Sequence, residues 1–199
     1  MFVDAYKFVS KVLILKNCEK LILGIDPGTT MMGYGLLEIH SKNMKLHNMG
    51  TVNLSKIQGH DQKLKKIFER VLYLIDTYNP DELAVEAPFF GKNVQSMLKL
   101  GRAQGVAMAA ALYRDLPIFE YSPKKIKQSI TGNGNASKEQ VAKMIQTLLK
   151  LDKLPKHLDA TDGVAAAICH HFQNKPGITG KSYGSWKAFL SENPDKKLG

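Results

Sequence analysis

The sequence predicts an α/β protein with a mixed five-stranded sheet and helices packed on both of its faces. Three observations point there. Short apolar runs that stop at turn residues, Leu21–Asp26 and Glu82–Glu86, have the length and composition of buried strands. Two more runs, Gly33–Ile39 and Lys45–Leu54, are separated only by the polar Ser41-Lys42-Asn43, as in a hairpin. Longer stretches between and after them carry apolar residues at helical spacing.

Taken in order, the first strand closes at Pro27-Gly28, and the next two complete an antiparallel meander. From His60 to Asn79, apolar residues recur at Leu64, Ile67, Phe68, Val71, Leu74, Ile75 and Tyr78, and Pro80 stops the helix they imply. Glu82–Glu86 is a strand ended by Pro88. A long helix is expected from Asn93 to Arg114, with Val94, Met97, Leu98, Gly101, Gly105, Met108 and Leu112 on one stripe. Glycines on that stripe predict close packing against another element, since each costs about 1 kcal/mol of helix propensity. Leu116–Tyr121 is the fifth strand.

Ser122-Pro123 opens a lysine-rich turn or short helix, which Gly132-Asn133-Gly134-Asn135 interrupts. Ser137 and Gln140 form a capping box for a helix to about Leu151, and a last helix is expected from about Pro155 to Phe172. Three antiparallel strands joined to parallel ones through helical crossovers make the ribonuclease-H-like arrangement. The expected domain spans residues 20–174, behind a flexible N-terminal extension at 1–19 and ahead of a disordered tail at 175–199.

A chain of 199 residues holds one such domain and little more. Its formal charge of +10 favours polyanionic partners, because lysine and arginine contacts to phosphates release counterions. Cys18 and Cys169 are too few for a disulfide framework or a zinc site, which suits a reduced, cytoplasmic setting. No stretch approaches the roughly 18 apolar residues of a membrane span, so no membrane role is expected.

The chemistry concentrates in four carboxylates. Asp26 ends the apolar LILGID, and Glu86 ends LAVE in the same way, where a charge is costly without a task or a partner. On adjacent strands, the two would share one rim of the sheet. In HLDATDGVAAAI, Asp159 and Asp162 stand three positions apart. On a helix this puts them on one face, about 5–6 Å apart at Cβ. The small residues Gly163, Ala165, Ala166 and Ala167 let that helix approach the sheet closely. Four such carboxylates repel one another unless hard, oxygen-preferring dications relieve them, and Mg²⁺ is the usual choice. Two ions about 3.5–4 Å apart can activate a water and stabilise a leaving phosphodiester oxygen. Singly, Asp26 could instead shape a turn with Thr29, and Asp159 could cap its helix.

The ordered motifs carry a resemblance. ILGIDPGTTMMGYG, VEAPFFGKN, SMLKLGRAQGVA, IKQSITGNG, SKEQV and DATDGVAAAICH follow one another from about residue 21 to 173. In this set and order the chain resembles the RuvC family of bacterial Holliday-junction resolvases. The resemblance implies a homodimeric endonuclease that nicks opposing strands of a four-way DNA junction in recombination and repair. It implies a metal site of Asp26, Glu86, Asp159 and Asp162 holding two Mg²⁺, with Mn²⁺ as a substitute. It also implies DNA contacts by Lys127, Lys138 and Phe89, and a RuvA–RuvB branch-migration complex as partner. Some members carry histidine where this chain has Asp159. Many carry glutamine where it has Ala87, which puts local junction contacts in doubt.

The residues support a DNA surface on their own. Lys124, Lys125, Lys127, Lys138, Lys143 and Lys150 fall in a stretch with one acidic residue, Glu139. Near the carboxylate rim they would hold backbone phosphates without reading bases; the alternative is a solvated lysine face. The glycine-rich loop leads into the helix N-terminus at Ser137, a place that favours anions. Phe89 follows a strand end and is expected to be exposed as a wedge or stacking platform, with Phe90 the better candidate for the core. His157, His170 and His171 are read as structural or surface residues.

Three rivals share some of these features. An actin-like or sugar-kinase ATPase opens on a similar phosphate-cradling turn but needs two such domains. A non-catalytic junction-binding protein would have little use for intact carboxylates. A ribonuclease-H-like enzyme acting on RNA would be separated by substrate competition.

Overall fold

The computed structural model describes residues 18–41, 43–89, 93–155 and 157–174. Strands β1 (Lys20–Asp26), β2 (Met31–His40), β3 (Asn43–Asn53), β4 (Glu82–Glu86) and β5 (Ile118–Tyr121) form one sheet in the order β3-β2-β1-β4-β5. β1, β2 and β3 pair antiparallel, whereas β4 and β5 join β1 in parallel. This is the expected mixed sheet, and its central strands β2, β1 and β4 have no exposed residue.

Five helices complete the described fold: α1 (His60–Tyr78), α2 (Val94–Leu112), α3 (Pro123–Thr131), α4 (Lys138–Leu148) and α5 (Asp159–Gln173). One core lies under α1 and α2, where Leu23, Ile25, Leu36, Ile67, Leu74 and Ala107 are fully buried. The second lies under α3, α4 and α5, with Ile22, Leu37, Ile126, Ile145, Val164 and Ile168. The period-two alternation of β1 assigns Leu21, Leu23 and Ile25 to the first and Ile22 to the second.

Local signals end these helices where the chain chemistry says they should. Asn79, left-handed at φ 48°, returns its N–H to the Ile75 carbonyl and closes α1 ahead of Pro80. Ser122 caps α3 with Pro123 in its first turn, and Ser137 with Gln140 makes both bonds of a capping box on α4. α4 stops at Leu148, a few residues short of the expected Leu151.

Two expectations are corrected. α5 begins at Asp159 and not near Pro155, so both of its aspartates occupy the first turn. There the helix dipole favours negative charge. The glycine stripe of α2 does not pack inward: a Cβ on Gly101 or Gly105 would meet nothing within 4 Å. Val94, Leu98 and Leu112 on that side are exposed, and α2 instead buries Ala103, Ala107, Ala110 and Ala111. The alanine face wins because its small side chains seat the helix against the first core. Residues 1–17 of the expected extension and the tail from 175 onward lie outside the described residues, as does Phe90. Among the described residues no helix is long and apolar enough to cross a membrane.

Candidate active site

Asp26 and Glu86 are the last residues of the parallel neighbours β1 and β4, so both carboxylates leave the sheet at one edge. α5 brings the other two. It lies almost on the backbone of the sheet: a Cβ on Gly33 would stand 1.9 Å from the Asp159 carbonyl oxygen, and one on Gly24 would stand 2.0 Å from that of Gly163. No residue larger than glycine fits either position without moving α5, and moving α5 would carry Asp159 and Asp162 away from the rim.

Lys138, the first residue of α4, reaches into this group. Its Nζ lies 2.8 Å from Asp159 Oδ1 and 2.6 Å from Asp162 Oδ2. Lys127 of α3 stands on the same side, close enough to pull on Glu86 and Asp162 electrostatically. The five groups Asp26, Glu86, Asp162, Lys127 and Lys138 line an open cavity of about 150 Å³. Across Asp26 and Glu86, a smaller cavity of about 100 Å³ is bordered by Phe89, Leu100 and Gln104. Phe89 is 68% exposed, as the sequence predicted.

The electrostatics follow from crowding. Burial, with repulsion from Asp162 behind it, pushes Asp26 up to about 7 against the pull of Lys138. Burial and then Asp26 and Asp162 push Glu86 up to about 8. Burial also raises Asp162, although Lys138 opposes it. Asp159 alone is held below the usual carboxylate range, by the hydrogen bond from Lys138. Burial works against the Lys138 ammonium, but its bonds to Asp159 and Asp162 raise it overall. The rim therefore has more negative charge than its lysines neutralise, and two of its carboxyls respond by holding protons.

An oxygen-only donor set in that condition fits a hard dication, which would displace the protons. Among the described residues, no three or more His, Cys, Asp or Glu side chains stand as a ready-made metal cage. The Lys138 ammonium supplies the positive charge between Asp159 and Asp162. The fit rests on donor chemistry and charge.

The alternative reading of Asp159 as a helix cap fails, because Leu158 occupies the cap position and no side chain caps this end. The glycine-rich loop that leads into α4 is internally hydrogen-bonded. The N–H groups of Asn133, Gly134, Asn135, Ala136 and Ser137 all donate to acceptors within the same loop and its neighbouring helices. They brace the loop that carries Lys138, so the amides themselves are not open to an anion.

Sequence reasoning missed two contributors. Gln104 is buried and donates to Glu120 at 2.7 Å beside the smaller cavity. Its helical stripe of alanines was the available signal. Lys63 Nζ donates to the Thr29 carbonyl at 3.2 Å, tying α1 to the turn after Asp26; no local pattern marks that contact. Of the histidines, His157 is exposed, and His170 is fully buried in a structural network.

Comparison with known proteins gives a consistent result. The family model described as crossover junction endodeoxyribonuclease RuvC matches residues 22–170. A crossover junction endodeoxyribonuclease RuvC of Christiangramia forsetii is 62% identical over 187 residues, covering 94% of this chain and 97% of that protein. One from Bacteroides fragilis is 59% identical, covering 89% of this chain and 96% of its own. Thermus thermophilus RuvC, solved in complex with a Holliday junction substrate, superposes with a TM-score of 0.72 at 31% identity. That match covers 78% of this chain and 94% of the solved one. The yeast mitochondrial Holliday junction resolvase shares the fold at a TM-score of 0.56, with 16% identity over 83% of this chain and 85% of its own.

Proposed function

The chain belongs to the RuvC family of crossover junction endodeoxyribonucleases, which are metal-dependent nucleases, and we propose how its residues resolve a Holliday junction. One observation carries the assignment of the site. Asp26, Glu86, Asp159 and Asp162 converge from two strand ends and a helix start, and the only cations among them are Lys127 and Lys138 within the described residues.

The four carboxylates would hold the metal, with two Mg²⁺ ions expected and Mn²⁺ able to replace them. The chemistry they would supply there is activation of a water and stabilisation of the leaving oxygen. The protein's own part is positional. Glu86 and Asp26, held on the rigid sheet, keep oxygens facing the cavity. Lys138 clamps Asp159 and Asp162 in one orientation and carries a positive charge to the place where a scissile phosphate would sit. Lys127 adds a second cation on the same wall, and Phe89 offers an exposed ring beside the site on which an unpaired base can stack.

A junction has two-fold symmetry, so two identical sites are needed for paired nicks. We assign the dimer contact to the exposed apolar side of α2, where Val94, Leu98 and Leu112 are 61%, 51% and 63% exposed beside two glycines. Sedimentation should give a dimer at micromolar concentration; Leu98→Glu should shift it to monomer, and a wild type that sediments as a monomer would remove this contact. A cytoplasmic setting and cooperation with the RuvA–RuvB complex complete the proposal.

The test is cleavage of a labelled synthetic four-way junction with and without Mg²⁺, in wild type and Asp162→Asn. Symmetric, metal-requiring nicks should fall by on the order of 10³-fold in the variant while junction binding persists. Binding without cutting by the wild type would leave a junction-recognition protein. Equal cutting of linear duplex would leave a general nuclease.

A further inference from the structure

At the far end of α5 from the carboxylates, His170 is completely buried, and both of its ring nitrogens are engaged. Nε2 lies 2.7 Å from Glu82 Oε2, and Nδ1 lies 2.7 Å from the Tyr121 hydroxyl. The second oxygen of Glu82 takes Lys20 Nζ at 2.8 Å. The Phe119 ring stands 4.3 Å from the imidazole, centroid to centroid. A carboxylate only accepts, so Nε2 carries a proton and donates it to Glu82. Burial lowers the affinity of the imidazole for a second proton, against the pull of Glu82.

These partners come from three adjacent strands. Lys20 and Glu82 are the first residues of β1 and β4, whose last residues are Asp26 and Glu86. His170 follows Asp159 by eleven positions on α5. At 3.6 residues per turn this is about three turns, so the two share one side of the helix roughly 16 Å apart. One sheet face and one helix side therefore carry the carboxylate cluster at one end and the histidine network at the other.

Between the two ends, α5 lies on the sheet glycines Gly24, Gly33 and Gly35 through Gly163, Val164 and Ala167, all buried. Glycine and alanine permit close approach but have few ridges to interlock, which leaves the apolar resistance to sliding to Val164 and Ile168. A buried polar contact with fixed partners does resist it, because a shift leaves donors and acceptors unpaired. We propose that His170 is a positioning residue that sets the register of α5 on the sheet and thereby holds Asp159 and Asp162 opposite Asp26 and Glu86. Replacing a buried ionic contact by apolar residues of similar volume is often neutral or stabilising, so stability alone does not account for the network.

Only the activity readout of the test rests on the nuclease reading. Glu82→Leu removes the acceptor while leaving His170 in place, and Glu82→Gln keeps an acceptor without the charge. Single-turnover cleavage of saturating junction should slow by about 10- to 100-fold in Glu82→Leu, with junction affinity unchanged, since small misplacements of reacting groups cost that much. Glu82→Gln should restore most of the rate, and Tyr121→Phe should fall between. Without metal, amide hydrogen exchange over Gly163–Ala167 should be faster in Glu82→Leu than in Glu82→Gln. Wild-type cleavage by Glu82→Leu, equal slowing in both Glu82 variants, or unchanged exchange would each overturn the proposal. A wild type that leaves junctions intact would overturn the nuclease reading instead, and the exchange comparison would still test the histidine network.

Discussion

At its first turn α5 sets Asp159 and Asp162 against Asp26 and Glu86, where carboxylates outnumber the lysines that reach them. Near its other end the same helix buries His170 against Glu82 and Tyr121, with Lys20 neutralising Glu82. Both regions are polar, partly buried and built on the same strands. They respond oppositely. Repulsion and burial drive Asp26 and Glu86 toward their protonated forms. At Glu82 burial also pushes upward, but hydrogen bonds from Lys20 and His170 outweigh it and keep the carboxylate ionised. A region whose partners are all supplied by the protein holds the fold together. A region left short of positive charge is unstable until something from outside supplies it, which is the condition of a binding site for cations.

The comparison breaks most visibly if one rim charge is removed. Glu86→Gln should raise the melting temperature of the metal-free protein by roughly 4–8 °C at pH 8.5, since a change of this class is worth a few degrees per kcal/mol in a domain of this size. The sign follows from linkage. The folded state holds Glu86 and Asp26 protonated up to about 8 and about 7, whereas the unfolded chain releases those protons near pH 4. The contribution of these two groups to stability is therefore full below about pH 4 and declines as pH rises toward 8. Thermal melts of the wild type from pH 5 to 8.5 should slope downward, the slope should be shallower in Glu86→Gln, and Mg²⁺ should flatten it. An upward slope in the wild type would contradict the account of the rim.

A smaller effect of opposite sign is expected at Lys138. Lys138→Ala leaves Asp159 and Asp162 without their shared ammonium, and should lower the metal-free melting temperature by about 2–4 °C. Added Mg²⁺ should return most of that loss, because a dication serves the same carboxylates. If the variant were destabilised equally with and without metal, Lys138 would be a packing residue and not a charge partner.

Much of the site was legible because its residues violate local expectation. A carboxylate closing an apolar strand is conspicuous in LILGID and LAVE, and Asp159 with Asp162 declares one helix face by spacing alone. Exposure of Phe89 followed from its place after a strand end. The network around His170 was not legible. Glu82 opens a strand, where charge is ordinary, and its partner lies 88 residues away.

The sequence alone determined the order of elements, the stop at Pro80, the helix starts at Ser122 and Ser137, and the candidacy of the four carboxylates, because each depends on residues within a turn or a strand of one another. Only the tertiary structure decided which side of α2 is buried, where α5 starts, and that Lys138 sits between two aspartates. The alanine and glycine sides of α2 are both compatible with a helix, and the choice between them is made by the shape of the sheet beneath. Likewise the depth at which α5 lies is set by Gly24 and Gly33 on strands far away in sequence. Such contacts join segments whose local patterns carry no information about each other, and they exist only once the chain is packed.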